Sequence, residues 1–110
     1  MNNKNIISAT NENMDDIIKN NKAVVVDFFA DWCQPCKVLS MVFNEIVDEY
    51  KDKVVFVKVN VDEQYELGKK YRILSLPTLL YFKNEELIHR TIGVLSKEEL
   101  IKVLEENVLN

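Results

Sequence analysis

The fold of this chain is decided by the stretch 23-AVVVDFFADWCQPC-36. Residues 23–30 are apolar on both faces apart from one aspartate, which is typical of a central strand in a largely parallel sheet covered on both sides. After the cysteines, apolar residues recur at helical spacing and predict a helix from about residue 36 to residue 50. The stretch therefore predicts a strand that leads into a helix, with both cysteines of the chain at the junction.

Further strands and helices are predicted on either side of this unit. The predicted strands are residues 5–8, 54–61, 79–83 and 87–92, of which the last two should pair as a hairpin around Asn84-Glu85. The predicted helices are one capped by Thr10, one at residues 64–71, and a C-terminal one with Ser96 and Glu99 as capping box. This order predicts one α/β domain, residues 1–110, with a mixed sheet of four or five strands and helices on both faces.

Composition excludes several classes of protein. The 110 residues are 47% apolar and 29% charged, with a formal net charge of −4 that argues against nucleic-acid binding. No apolar run approaches the roughly 18 residues of a membrane span, and the polar start of the chain lacks the apolar core of a secretory signal. We therefore expect a cytoplasmic protein that binds neither membranes nor nucleic acids.

The Cys33-Gln34-Pro35-Cys36 motif admits several interpretations. A structural zinc site needs four ligands, and the chain offers two cysteines and one histidine, His89. A disulfide that closes so short a loop contributes little stability, and two inert buried thiols remain an alternative. A redox-active dithiol is the favoured interpretation, because Trp32 and Pro35 accompany the pair at a strand-to-helix junction.

The helix would distinguish the two thiols. Cys33 would lie at the helix N-terminus, where unpaired N–H groups and the helix dipole favour a thiolate. Cys36 would lie one turn further in and be less exposed. We therefore expect Cys33 to be the attacking thiol and Cys36 the resolving one, with Pro35 well placed in the first turn because its missing N–H is not needed there.

The motif and its surroundings resemble the thioredoxin family. The similar segments are VDFFADWCQPCK (26–37), VNVD (59–62), LPTL (76–79) and IGVLSK (92–97), and together they span nearly the whole chain in order. The resemblance implies a thioredoxin fold and a monomer that reduces protein disulfides by dithiol–disulfide exchange. It also implies that no cofactor is bound and that a separate thioredoxin reductase carries the nucleotide and flavin. Glycines only at positions 68 and 93 exclude a G-x-G-x-x-G loop in this chain.

Asp27 is unusual within its apolar strand. From the residues alone it is either a buried acid with a raised pKa or an outward-facing side chain. The resemblance implies a buried acid that accepts the proton of Cys36, and it pairs this acid with Lys58, which by itself reads equally well as a solvated strand lysine. These residues complete the predicted catalytic set: Cys33, Cys36, Asp27 and Lys58.

The resemblance also implies a substrate-binding surface around the dithiol. Its expected members are Trp32, Gln34, Pro35, Leu76, Pro77, Ile92, Gly93 and Val94. Pro77 would be a cis proline, although sequence alone favours trans, and Leu76 would pair with an incoming peptide as an added strand. Gln34 departs from the family, which usually has glycine there. A disulfide oxidase or isomerase on the same fold, or a binding module without redox turnover, are the alternatives.

Overall fold

The computed structural model describes residues 3–110, which form five strands and four helices. In chain order these are β1 (Ile6–Ser8), α1 (Met14–Asn20), β2 (Ala23–Phe29), α2 (Gln34–Tyr50), β3 (Val55–Asn60), α3 (Tyr65–Lys70), β4 (Thr78–Lys83), β5 (Glu86–Ile92) and α4 (Lys97–Asn107). Every strand and helix predicted from the sequence is present, and apart from the start of α1 the predicted ends differ by at most two residues.

The strands form one sheet in the order β1-β3-β2-β4-β5, so β2 lies at its centre. β2 runs parallel to β3 and antiparallel to β4, and its Val26 pairs with Val57 on one side and Leu80 on the other. An apolar strand suits this position because both neighbours bond to its backbone while helices cover its side chains. The predicted mixed sheet is confirmed, and it has five strands.

Alternate residues of β2 face two separate cores. Val24, Val26 and Phe28 pack with residues of α1 and α3, whereas Val25 packs with residues of α2 and α4. Helices therefore cover both faces of the sheet, as predicted. Asp27 lies two residues after Val25, so its side chain is on the α2 side of the sheet.

The N-terminus of α1 differs from the prediction. Asn13, and not Thr10, precedes the first residue of the helix. The Thr10 hydroxyl accepts hydrogen bonds from the N–H groups of Glu12 (3.3 Å) and Asn13 (3.2 Å), which closes a turn ahead of the helix. The prediction that Thr10 caps α1 is therefore wrong, since a threonine hydroxyl can stabilise a turn as well as a helix end.

Two predicted local features are confirmed. Asn84 (φ 51°) and Glu85 (φ 72°) form the two-residue turn between β4 and β5, both in the left-handed conformation that such turns favour. At α4, the Ser96 hydroxyl accepts from the Glu99 N–H (3.1 Å), and the Glu99 carboxylate accepts from the Ser96 N–H (2.8 Å). The predicted hairpin and capping box are thus both present.

Candidate functional site

Cys33 and Cys36 lie where β2 ends and α2 begins, and a disulfide bond joins them. Their Cα atoms are 5.3 Å apart. Cys33 is the N-cap residue of α2, and its Sγ accepts a hydrogen bond from the Cys36 N–H at 3.2 Å. One of the unpaired N–H groups of the helix N-terminus is therefore directed at the Cys33 sulfur, which is an arrangement that favours a thiolate there.

The two sulfurs border different openings of the protein. Cys33 lines an open groove of about 520 Å³ together with Trp32, Gln34, Pro35 and other residues. Cys36 lines a separate cavity, also of about 520 Å³, on the α2 side of the sheet. Both residues are buried, so exposure barely separates them. They are distinguished by the surroundings that each one faces.

Asp27 shares the second cavity with Cys36. Its side chain is buried, with 3% of the residue exposed, and its Oδ1 has no hydrogen-bond partner among residues 3–110. Burial raises the pKa of Asp27 from 3.8 to about 7, and the positive charge of Lys58 opposes this increase. Of the two orientations that the sequence left open, the structure therefore has the buried one.

Lys58 lies beside Asp27 on the neighbouring strand. The two residues are direct Cα partners in the parallel pair of β2 and β3, and both line the second cavity. Parallel strands in register place such partners on the same face of the sheet. Sheet pairing therefore brings together Cys36, Asp27 and Lys58, which come from three different elements.

Leu76 and Pro77 approach the disulfide from the loop that precedes β4. Leu76 packs against the buried cluster of Ala30, Cys33 and Cys36. The Leu76–Pro77 peptide bond is cis, as the family resemblance implied. The carbonyl oxygen of Pro77 accepts a hydrogen bond from the Gly93 N–H at 2.8 Å, so the end of β5 is joined to the proline.

The end of β5 contributes exposed apolar residues close to this loop. Ile92 pairs with Thr78, the residue after the proline, and both Ile92 and Val94 are exposed. Gly93 between them has φ 93°, and a Cβ there would meet no atom within 4 Å. Backbone conformation, and not space within the chain, is therefore the reason for a glycine at this position.

Trp32 lies at the edge of the groove, with 71% of the residue exposed. Its indole N–H donates a hydrogen bond to Oδ2 of Asp62 at 2.9 Å. A large aromatic side chain that is exposed and also oriented by a hydrogen bond is suited to contact a partner. Asp62 was not among the predicted site residues, although it belongs to one of the segments that carry the family resemblance.

Sequence reasoning missed several residues that line these openings. In the groove they are Val61, Ile73, Leu74 and Ser75, and in the second cavity they include Ser40 and Asn44 of α2. Leu74 is 93% exposed, and Oδ1 of Asn44 is buried with no hydrogen-bond partner in the described part of the chain. One signal was available for the groove: Ile73 and Leu74 are two apolar residues directly before the Ser75-Leu76-Pro77 break.

Two further kinds of feature are absent from the described residues: a cluster of metal-ligating side chains and a membrane-spanning helix. Within residues 3–110, no group of three or more His, Cys, Asp or Glu side chains is arranged to hold a metal ion. None of the helices in this range is long and apolar enough to span a membrane.

Comparisons with known proteins give a consistent result. The sequence model of the family described as Thioredoxin matches residues 5–106. A thioredoxin of Buchnera aphidicola is 41% identical over 104 residues, which are 94% of this chain and 96% of the relative. A thioredoxin of Mycoplasmoides gallisepticum is 42% identical over 91 residues, 83% of this chain and 90% of the relative. The solved structure of Plasmodium falciparum thioredoxin superposes with a TM-score of 0.84 at 37% identity and covers 91% of this chain and 97% of that one.

Proposed function

The chain belongs to the thioredoxin family and carries out dithiol–disulfide exchange, and we propose that it reduces protein disulfides with Cys33 as the attacking thiol and Cys36 as the resolving thiol. The observation that carries this assignment is the hydrogen bond from the Cys36 N–H to the Cys33 sulfur at 3.2 Å. Members of the family work without a cofactor, so the two sulfurs carry the electrons themselves.

In the first step, the Cys33 thiolate attacks one sulfur of the target disulfide. A bond forms between that sulfur and Cys33 Sγ, and the second target sulfur leaves as a thiolate. The helix N-terminus lowers the pKa of a thiol placed at it, because its N–H groups and dipole stabilise the negative charge. Cys33 occupies this N-cap position and borders the open groove, which is where a target can reach it.

In the second step, Cys36 attacks Cys33 Sγ in the mixed disulfide. The Cys33–Cys36 bond forms again, and the bond to the target breaks with release of the reduced target. Cys36 must lose its proton first, and we assign Asp27 as the acceptor because both groups line the same cavity. A carboxylate with a pKa of about 7 is suited to exchange protons near neutral pH. The charge of Lys58 limits how far that pKa rises.

The proposed substrate surface surrounds the groove. Trp32, Gln34, Pro35 and Leu76 line it, and Pro77 follows Leu76 through the cis peptide bond. Ile92, Gly93 and Val94 extend this surface at the end of β5. We propose that an extended target peptide pairs with the backbone of Leu76 as an added strand, so that backbone bonds give affinity for many sequences.

Family membership supports a proposal for the partners and the location of this chain. Thioredoxins work with a thioredoxin reductase and with disulfide-containing targets, and we propose that such a reductase regenerates the dithiol of this chain. Nucleotide and flavin would then be bound by the reductase. We further propose that residues 1–110 act as one domain, as a monomer, and in the cytoplasm.

Cysteine variants test the assignment of roles. We expect Cys33→Ser to abolish reduction of a protein disulfide, and Cys36→Ser to accumulate a mixed disulfide with the target that is visible on a non-reducing gel. Turnover by Cys33→Ser would refute the mechanism, and the absence of any adduct with Cys36→Ser would refute the division of roles. An inactive wild-type protein that still binds targets would favour the binding module.

The direction of electron flow is tested by the redox potential of the Cys33–Cys36 pair. We expect equilibration with a glutathione series to show a potential more reducing than the glutathione pool. A strongly oxidising value would favour the oxidase. Gln34 borders the attacking sulfur, so a Gln34→Gly variant measured alongside shows how much this departure from the family contributes.

A further inference from the structure

The groove beside Cys33 continues into a second depression next to α3. This depression has a volume of about 480 Å³ and shares three lining residues with the groove: Val61, Ile73 and Leu74. Its remaining lining residues are Asp62, Tyr65, Gly68, Lys69 and Arg72, and we call these five residues together with Leu74 the α3 shelf. The two surfaces are therefore continuous, and Leu74 lies at their boundary.

The α3 shelf combines exposed apolar surface with positive charge. Tyr65 is 68% exposed and Leu74 is 93% exposed, which is unusual for large apolar side chains that are so close together. Lys69 and Arg72 bring two cations to the shelf on a chain whose net charge is −4. Neither cation forms an ion pair within residues 3–110. The one acidic member of the shelf, Asp62, accepts the hydrogen bond from Trp32.

The chain leaves α3 through a hydrogen-bonded turn that contains Lys69 and Arg72. At the end of α3, the Ile73 N–H donates to the Gly68 carbonyl (2.9 Å) and the Arg72 N–H donates to the Lys69 carbonyl (3.2 Å). This is the Schellman arrangement, in which the residue at the Arg72 position is left-handed and is usually glycine. Arg72 has φ 53°. Arg72 thus adopts a left-handed backbone conformation that is unfavourable for arginine and common for glycine.

The turn is also joined to the sheet. The guanidinium of Arg90 in β5 donates to the carbonyl of Tyr71 at 2.7 Å and to that of Arg72 at 3.4 Å. The backbone around Arg72 is therefore preorganised, because this turn is bonded both within α3 and to β5. A backbone that is already ordered loses less conformational entropy when a partner binds to it.

We propose that the α3 shelf is a second contact site for protein substrates, and that it binds an acidic side chain a few residues from the target disulfide. This inference rests on the proposed reductase function, since the same extended polypeptide would occupy the groove and the shelf. Lys69 and Arg72 would attract the carboxylate, while Tyr65 and Leu74 would contact the apolar part of the peptide. Targets with acidic residues near the disulfide would then be preferred over neutral ones.

Kinetics with matched peptides test this proposal. The substrates are a series of cystine-containing peptides. Each peptide carries two neighbouring Glu residues on one side of the cystine, either before or after it, at a distance of one to six residues. In the matched neutral series, Gln replaces both Glu residues. The variant combines Lys69→Gln with Arg72→Gly, which removes both cations and leaves a residue suited to the left-handed position. The control is Lys70→Gln, since Lys70 is on the same helix but pairs with Asp15 at 3.1 Å and does not line the shelf.

The expected result is selective loss on the acidic peptides. At one or more Glu positions, kcat/KM of the double variant should fall by about three- to tenfold, in line with two exposed ion pairs. It should be unchanged on the Gln peptides, and Lys70→Gln should behave like the wild type on both series. The difference should shrink at about 1 M salt, where such charges are screened. A Lys69→Glu, Arg72→Glu variant should reverse the preference toward peptides with Lys.

Other outcomes overturn the proposal in distinguishable ways. Equal kcat/KM of wild type and double variant on every acidic peptide would refute the shelf and leave the reductase function intact. Equal loss on acidic and neutral peptides would also refute it, because the effect would then not come from charge. If the wild type reduces neither series, the proposed function fails and the shelf fails with it.

Discussion

The stability of this protein should depend on pH through Asp27, and the structure gives the size of the effect. Burial raises the pKa of Asp27 from 3.8 to about 7 in the folded chain. A pKa difference of one between the folded and unfolded states corresponds to about 1.36 kcal/mol. Ionisation of the buried carboxylate therefore lowers the free energy of unfolding by about 4 kcal/mol. This is a large part of the roughly 5–15 kcal/mol by which domains are usually stable.

The sign follows from which state releases the proton first. Below the unfolded-state pKa of 3.8 neither state is ionised, and the penalty is absent. As pH rises from 3.8 to about 7, the unfolded state ionises while the folded state holds its proton, so the free energy of unfolding falls. Above about 7 both states are ionised, and the penalty of about 4 kcal/mol is constant.

Asp27→Asn should remove this pH dependence, because an amide of similar shape does not ionise. We expect the variant to gain stability relative to the wild type as pH rises from about 3 to about 8, by about 4 kcal/mol over that range. The measurement is urea unfolding of the oxidised proteins followed by circular dichroism at a series of pH values. Asp52→Asn, at an exposed turn position, is the control and should parallel the wild type.

A pH-independent difference between wild type and Asp27→Asn would refute this reasoning, since it would mean that the carboxylate ionises in the fold as easily as in the unfolded chain. The same variant should slow the resolution step near neutral pH if Asp27 accepts the Cys36 proton. A gain in stability together with a loss of rate would show that the buried acid is retained for chemistry and not for the fold.

Two further predictions concern local structure. Glu85→Gly should stabilise the protein by about 0.5–1 kcal/mol, because glycine adopts the left-handed conformation at φ 72° without the side-chain penalty. Thermal unfolding measures this gain, and Glu86→Gly in β5 is the control. A gain of the same size in the control would show that the left-handed conformation is not the cause. Ser96→Ala should destabilise the protein by about 1 kcal/mol through loss of the α4 capping box. Urea unfolding measures this loss, and an unchanged urea midpoint would show that the cap contributes nothing to stability.

Local features of the fold were predictable because their causes lie within a few residues. Each of these causes involves residues that are close together in the sequence: the apolar run of β2, the helical spacing after Cys36 and the Ser96 cap. Where two local outcomes use the same group, prediction failed, as it did for Thr10. A hydroxyl that closes a turn and one that caps a helix look alike in sequence.

Proximity between distant residues was less predictable. The parallel pairing of β2 and β3 puts Lys58 beside Asp27, and period-2 alternation puts both on the α2 side with Cys36. From the sequence, the orientation of Asp27 stayed open, because a shift of one residue in register reverses every side chain of a strand. The family resemblance implied the buried orientation, and the strand register accounts for it.

By itself, then, the sequence determined that this protein has a dithiol at the N-terminus of a helix, in an α/β fold with a mixed sheet. Only the tertiary structure decided the strand order, the separate openings beside Cys33 and Cys36, and the continuity of the groove with the shelf at Leu74. The physical reason is range. Periodicity, caps and turns are set by neighbouring residues, whereas the surroundings of each sulfur depend on which strands pair and on how the loops between them pack.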